Sequence, residues 1–320
     1  MMSLWDALRM NMMISYQELV RTFPKTDAIN GIPSHIHTQF NYNLNRKGQP
    51  MRSISLISLS LYAILSSIAH AEEILDNPGS APGHLSQPPA NDKDWIFTTG
   101  AGAIYGPAYE GSDKFVVTPL PDVSVEYKNG LFFANIWDGI GSYPLQGENY
   151  KVGASIGWMP GRDENDDKKN LRGMGDIDME AILNLMGEYD IGHIKISGKV
   201  STGTENYGTT ATVEVGTMFP VTGQLMIMGA IGPTWADADH MNSYFGISTV
   251  QSARSGYKSY NPTAGIKSVG LTAGAFYSIT EYWDVKFMIK ADQLLGDAAD
   301  SPITKQDFQP SVFLTTSYIF

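Results

Sequence analysis

Three short stretches bring together side chains that could do chemistry. Asp237-Ala238-Asp239-His240 offers two carboxylates and an imidazole, as a loop metal site or an acid–base group would require. A zinc site needs three ligands in fixed geometry, and one histidine beside two acids falls short. Arg162-Asp163-Glu164-Asn165-Asp166-Asp167-Lys168-Lys169 could hold Ca²⁺ or Mg²⁺ through its carboxylates. It lacks the D-x-[DN]-x-[DN]-G order of a calcium loop and reads as a solvated charge run. Ser255-Gly256-Tyr257-Lys258 fits S-x-x-K, but the S-D-N and K-T-G partners of that hydrolase pattern are missing. The chain has no cysteine, which excludes disulfide scaffolds, thiolate zinc sites and cysteine nucleophiles. The expectation is a protein with no catalytic residues, no cofactor and no metal. The remaining enzymatic reading is a hydrolase on a barrel rim, using His193 or His240 with a nearby Ser or Asp.

A second set of charges is spaced regularly rather than clustered. From Trp283 to Asp292 the odd positions are Trp283, Val285, Phe287, Ile289 and Ala291. The even ones are Asp284, Lys286, Met288, Lys290 and Asp292. Lys195 and Lys199 alternate with Ile194, Ile196 and Val200; Glu180 and Glu188 alternate with Ala181, Leu183, Leu185 and Tyr189; Glu214 lies between Val213 and Val215. A period of two is the signature of a strand with two unlike faces.

Two architectures produce such strands. A soluble sandwich turns the apolar face inward, whereas a transmembrane barrel turns it to lipid and the polar face to a lumen. Aromatic residues end the apolar stripes, as with Trp95, Tyr105, Tyr150, Trp158 and Trp283, where an interfacial girdle would lie. The polar faces are rich in Gly, Ser and Thr, and each repeat lasts about ten residues, one tilted crossing. The fold class expected is therefore all-β, a transmembrane antiparallel β-barrel. Its lumen charges would be Glu180, Lys195, Lys199, Glu214, Asp284, Lys286, Lys290 and Asp292. Cross-strand ion pairs filling a narrow barrel are the first reading of them, and a selective pore the second.

Strands are expected near 95–105, 116–127, 131–138, 150–159, 177–189, 193–202, 208–219, 223–236, 263–279, 282–292 and 309–320. A bacterial barrel takes an even number, so one more lies at 243–246 or 139–145. Twelve strands are expected, with ten as the alternative. The turns at 189–192, 220–223 and 280–282 should be periplasmic. The segments 161–175, 238–261 and 296–307 should be extracellular loops.

Composition agrees. Charged residues make up 17% of the 320, aromatics 11%, and there are 32 glycines. Mean hydropathy is −0.16, which excludes a bundle of apolar membrane helices. A net charge of −11 speaks against phosphate-backbone binding.

The apolar run after Met51 carries Arg52 ahead of it and Ala69-His70-Ala71 behind it. It reads as a signal peptide over 51–71, cleaved after Ala71 with Ala69 and Ala71 as the small residues of the site. Residues 1–50 show no sustained period, and Arg46-Lys47-Gly48 suits an A- and G-rich ribosome-binding site before Met51. The expectation is that 1–50 are an upstream extension outside the translated protein. Residues 72–94, rich in Pro, Gly, Ser and Asn, read as a flexible periplasmic linker, and 95–320 as the barrel. At the other end, Tyr318 and Phe320 share a lipid-facing stripe with Val312, Leu314 and Thr316. This ending resembles the signature read by the barrel-assembly machinery of the outer membrane.

Three stretches in order carry a further likeness. They are Tyr109-Glu110-Gly111-Ser112-Asp113, Ser243-Tyr244-Phe245-Gly246, and Leu295-Gly296-Asp297-Ala298-Ala299-Asp300-Ser301-Pro302. With the aromatic C-terminus they resemble the MipA/OmpV family of outer-membrane proteins, the MltA-interacting type. The resemblance spans roughly 95–320 and offers no catalytic residues. It implies a scaffold bringing a lytic transglycosylase together with a penicillin-binding protein, set among outer-membrane lipid and lipopolysaccharide in a Gram-negative cell. A small channel or surface adhesin is the alternative. Asp297, Asp300 and Pro302 suit a tight, self-bonded loop.

Overall fold

The computed structural model describes residues 94–320. The expected extension at 1–50, the signal peptide with Ala69 and Ala71, and all but the last residue of the 72–94 linker lie outside the described residues.

Alternation along each strand decides which way its residues face. On one strand Leu183 and Leu185 are exposed on the outside while Asn184 between them is fully buried. Twelve such strands form one antiparallel wall: β1 (Trp95–Pro107), β2 (Phe115–Tyr127), β3 (Phe132–Asn135), β4 (Gly139–Gln146), β5 (Tyr150–Met159), β6 (Glu180–Ile191), β7 (Ile194–Gly203), β8 (Thr209–Pro220), β9 (Leu225–Ala236), β10 (Gly265–Ser278), β11 (Trp283–Leu294) and β12 (Phe308–Ile319). Each strand pairs with its neighbour in sequence, and β1 closes on β12 from Thr98↔Ile319 to Tyr105↔Val312. Closure satisfies backbone groups that hydrocarbon cannot.

The outer surface exposes Ile156, Leu185, Val213 and Leu314. Aromatics gather where the apolar band ends. Trp95 packs on Tyr127, and Trp283 on Tyr318, at the end that carries the short turns. Trp158 and Tyr105 are exposed toward the other end. These are the girdles of a membrane barrel.

Long loops leave one rim and short turns the other, which places the rims outside and in the periplasm respectively. The missing strand is β4, at 139–146. The alternative position, 243–246, is helical instead: α1 (Ala238–Phe245) starts at Asp237, whose side chain accepts from His240 N at 2.8 Å. α2 (Thr249–Ser255) is capped by Ser248 and ends at Gly256, and α3 (Gly296–Ala299) is a single turn. The expected strand at 131–138 is shorter than its pattern suggested. Asn135 Oδ1 accepts from Trp137 N at 2.8 Å and Asp138 N at 2.7 Å, and Gly139 takes φ 81°. This turn reverses the chain after only four residues of β3, low in the wall.

Among the described residues the apolar clusters lie where the outer loops meet the ends of the strands. Ala236, Met241, Phe245, Leu294 and Ala298 form one cluster, and Met174, Ile247 and Ile303 a second. Together the loops at 108–114, 160–179, 237–264 and 295–307 make a cap.

Candidate functional site

The three resembling stretches meet in this cap. Tyr109 donates to Ile303 O at 2.8 Å, and Ser301 donates to Phe245 O at 2.6 Å. The 296–305 loop is self-bonded as expected, with Asp300 N donating to Gly296 O at 3.0 Å and Thr304 Oγ1 to Ala298 O at 2.7 Å; the Asp297 carboxylate instead accepts from Thr263 N and Oγ1, at 2.7 and 2.8 Å, and ties two loops together. The charge run at 162–169 is not wholly solvated either. Asp163 caps a 3-10 turn over Glu164–Asp167. Arg162 and Asp167 are buried, and Arg162 donates to Tyr244 O at 3.0 Å. A loop that must seal a barrel turns some of its charges inward, where the cation needs an acceptor and the carboxylate a donor, which for Asp167 is Asn170 Nδ2 at 2.7 Å.

His240 has a structural place. It is buried, its Nδ1 sits 2.7 Å from Tyr207 O, and its ring stacks on Tyr244 at 4.6 Å. Burial, then the positive charge of Lys267, pushes its pKa down to about 4. Asp237 serves as the helix cap, so the two do not form an acid–base pair. Burial also raises the Tyr244 hydroxyl to about 12. His193 lies in a two-residue turn at the periplasmic rim, near Phe219. One pattern was overlooked in the sequence: Gly153-Ala154-Ser155-Ile156-Gly157 fits G-x-S-x-G. It runs mid-strand in β5 rather than through a strand-to-helix turn. Ser155 is buried and donates to Asp138 O at 2.5 Å.

Beneath the cap, charged residues line the lumen in layers. At the roof Lys267 holds Glu110 through both carboxylate oxygens at 2.8 Å. Burial would raise the Glu110 carboxyl, but Lys267 overrides it and keeps the pKa below the usual range. Simple alternation puts Lys267 on the outside. A β-bulge between Ile266 and Ser268 turns it inward.

At mid-height the β3–β4 tip bends into the lumen. Asp138 pairs with Lys199 of β7 at 2.8 Å, and Trp137 meets Phe313 of β12 with ring centroids 5.8 Å apart. Ser201 donates to Asn184 at 2.7 Å, and Asn184 to Ser155 at 3.0 Å, which steadies the wall behind the tip. Lys290 pairs with Asp292 at 3.0 Å along β11. Lys286 reaches Asp122 of β2 at 2.8 Å, where Ser317 also donates at 2.7 Å. Near the periplasmic rim Lys195 pairs with Glu188 at 2.7 Å and Asp190 at 3.2 Å.

Glu180 does other work: its carboxylate accepts from the backbone of Asn206 and Tyr207, at 2.7 and 2.9 Å, and fixes the β7–β8 loop. Glu214 lines the lower lumen, and Asp284 faces Ser278 and Ser317 in register. Asp122, Asp138, Glu110, Lys267 and Trp137 were missed in the sequence. The Asp138-Gly139 dipeptide was a readable turn signal for the tip. Around the tip the lumen holds two cavities, about 760 Å³ above and 470 Å³ below.

A closed twelve-stranded wall, apolar outside and ion-paired inside, defines an outer-membrane β-barrel protein. The family described as MltA-interacting protein MipA matches residues 99–320, and the chain belongs to it.

No curated protein matches the chain. Among solved structures, the NanC porin has a TM-score of 0.37 at 8% identity, over 69% of this chain and 98% of its own. An outer membrane channel from Pseudomonas putida F1 has 0.37 at 12%, over 71% and 94%. The outer membrane channel DcaP of Acinetobacter baumannii has 0.34 at 10%, over 71% and 96%. Likenesses this distant carry no inference about what this barrel does.

Proposed function

We propose that this protein is a scaffold in the outer membrane that gathers a lytic transglycosylase and a penicillin-binding protein at its periplasmic rim. The observation that carries this reading is the obstructed lumen. Packed loops cover the outer mouth, and the Trp137–Asp138 tip, tied to Phe313 and Lys199, crosses the interior. A barrel blocked in this way favours surface over passage. The family's name, MltA-interacting protein, supplies the class of partner. The contacts would fall on the short turns and the 72–94 linker, and assembly would use the Tyr318 and Phe320 ending. The export route is a signal peptide removed after Ala71.

Crosslinking in intact cells, followed by identification of the captured proteins, tests the reading. A murein hydrolase or synthase captured through the 189–192 or 220–223 turns supports it. Capture of none, together with steady conductance in planar bilayers, favours the small channel. Binding of host surfaces through the cap would favour the adhesin.

A further inference from the structure

The β3–β4 hairpin is too short to fill its part of the wall. β2 bonds to β3 only over Ser124–Tyr127, and β4 reaches β5 only as far as Ile156. Above the hairpin, among the described residues, Phe115–Val123 pairs with β1 alone and Gly157–Met159 with β6 alone. The wall therefore has a window between these two edges. Its sill is the Trp137–Asp138 tip. Its lintel is the contact between two loops of the cap, where Asn170 donates to Asp113 at 3.2 Å and Lys114 to Asp166 O at 2.5 Å.

The β2 edge is built to stay unpaired. In an antiparallel ladder, successive residues bond alternately to the two neighbouring strands. Pro119 and Pro121 have no N–H, so they occupy the positions that face away from β1, toward the window. Two donors that would invite pairing are missing there, as on other protected edges. Val117 and Trp158, flanking the window, are 51% and 48% exposed on the outer surface, so it opens within the lipid-facing belt.

The 760 Å³ upper cavity reaches this window and has the volume of a ligand site. Leu120, Pro121, Trp137 and Trp158 line it on the window side, whereas Lys199, Lys290 and Asp292 lie on the strands across the lumen and the Lys267–Glu110 pair lies at its roof. The cavity is thus apolar where it meets the bilayer and polar at its back. The cap closes it above, and the tip restricts it below.

We propose that this cavity takes up a single-chain amphiphile of the fatty-acid class, sideways from the outer half of the bilayer. The chain lies in the window, and the carboxylate turns inward toward Lys199 and Lys290, sharing their ammonium donors with Asp138 and Asp292. This inference is independent of any murein partner.

The chain has no cysteine, so single cysteines can report on the window. Leu120→Cys on the cavity side and Val117→Cys on the outer face would each carry a bimane fluorophore, in vesicles of ordinary phosphatidylcholine. Heat-modifiable migration on gels confirms that each variant is folded, and Ile136→Cys repeats the cavity-side measurement. Dibromostearic acid should quench position 120 saturably, and plain stearic acid should reverse the quenching several-fold. Adding Thr118→Phe to fill the cavity should abolish it, while position 117 shows only linear, uncompeted quenching. Linear, uncompeted quenching at 120 as well would overturn the proposal. So would equal quenching at 120 by a dibrominated phosphatidylcholine bilayer without free acid, which would mark an ordinary lipid contact.

Discussion

Asp138 and Lys199 are 61 residues apart in sequence and 2.8 Å apart across the lumen. Both side chains are 35% exposed, so the pair itself contributes only about 0–1 kcal/mol. Its effect is positional, because it pins a hairpin tip inside the barrel. Asp138→Ala should leave the melting temperature within a few degrees of the parent. It should also free the tip and raise single-channel conductance in planar bilayers. Unchanged conductance would show that Trp137 holds the tip without the ion pair.

At the roof, removing one partner should cost more. Lys267 is only 12% exposed, and Lys267→Met leaves the Glu110 carboxylate half-buried and unpaired. The expected loss is about 1–3 kcal/mol, below the range for a fully buried pair. Faster proteolysis within 237–264, with the strands still protected, is the readout. Lys267→Met with Glu110→Gln should recover part of it.

Acid should loosen the cap before the wall. His240 titrates near 4 in the folded protein against 6.5 in an ordinary histidine. The unfolded chain therefore takes up the proton first, and stability falls as pH drops from about 6.5 toward 4. Glu110, held below its ordinary value, adds a loss that begins below about 4.5 and continues through its lower folded pKa. Hydrogen exchange in the 237–264 loop across pH 7 to 4 should show protection falling. His240→Phe should flatten the upper part of that profile; an unchanged slope would assign the effect elsewhere.

Gly208 takes φ 64°, and a Cβ there would run into the backbone nitrogen of His240. Gly208→Ala should destabilise the cap by about 1–3 kcal/mol through backbone strain. Gly223, with open space around its Cβ position, is the matched control. Equal proteolytic sensitivity in the two alanine variants would contradict this account.

Phe320 is 53% exposed at the end of the seam, and its N–H donates to Phe97 O at 2.9 Å. Deleting it removes one seam bond and one girdle aromatic, a small loss for a formed barrel. If Tyr318 and Phe320 also form the assembly signal, the deletion should cut the yield of inserted barrel in cells several-fold. Refolding in detergent should stay near normal. Equal yields by both routes would leave Phe320 with a closure role only.

Much of the wall was legible because its two faces meet unlike solvents. Trp283 to Asp292 alternates with Met288 as the one apolar residue on its charged face, and the predicted β5 at 150–159 matches its observed bounds. β3 was overextended because Ile136 and Trp137 continue an apolar pattern, although the Asn135 side chain turns the chain there. Lys267 could not be placed by counting, since a bulge reverses its direction. The helices at 238–255 were hidden for a different reason. They are seven and eight residues long and stand on caps and shared tertiary burial rather than on a sustained period. Asp138 and Lys199 were each visible as polar residues, but their pairing depends on a hairpin leaving the wall.

The packing of the outer loops has a consequence for anything that meets the cell from outside. Phe245 and Ala298 share a core though they come from different loops, so what is displayed is one folded epitope rather than four separate peptides. An antibody raised against a linear copy of any one segment would meet residues whose partners are missing. A binder selected on the intact barrel would read the surface as it stands.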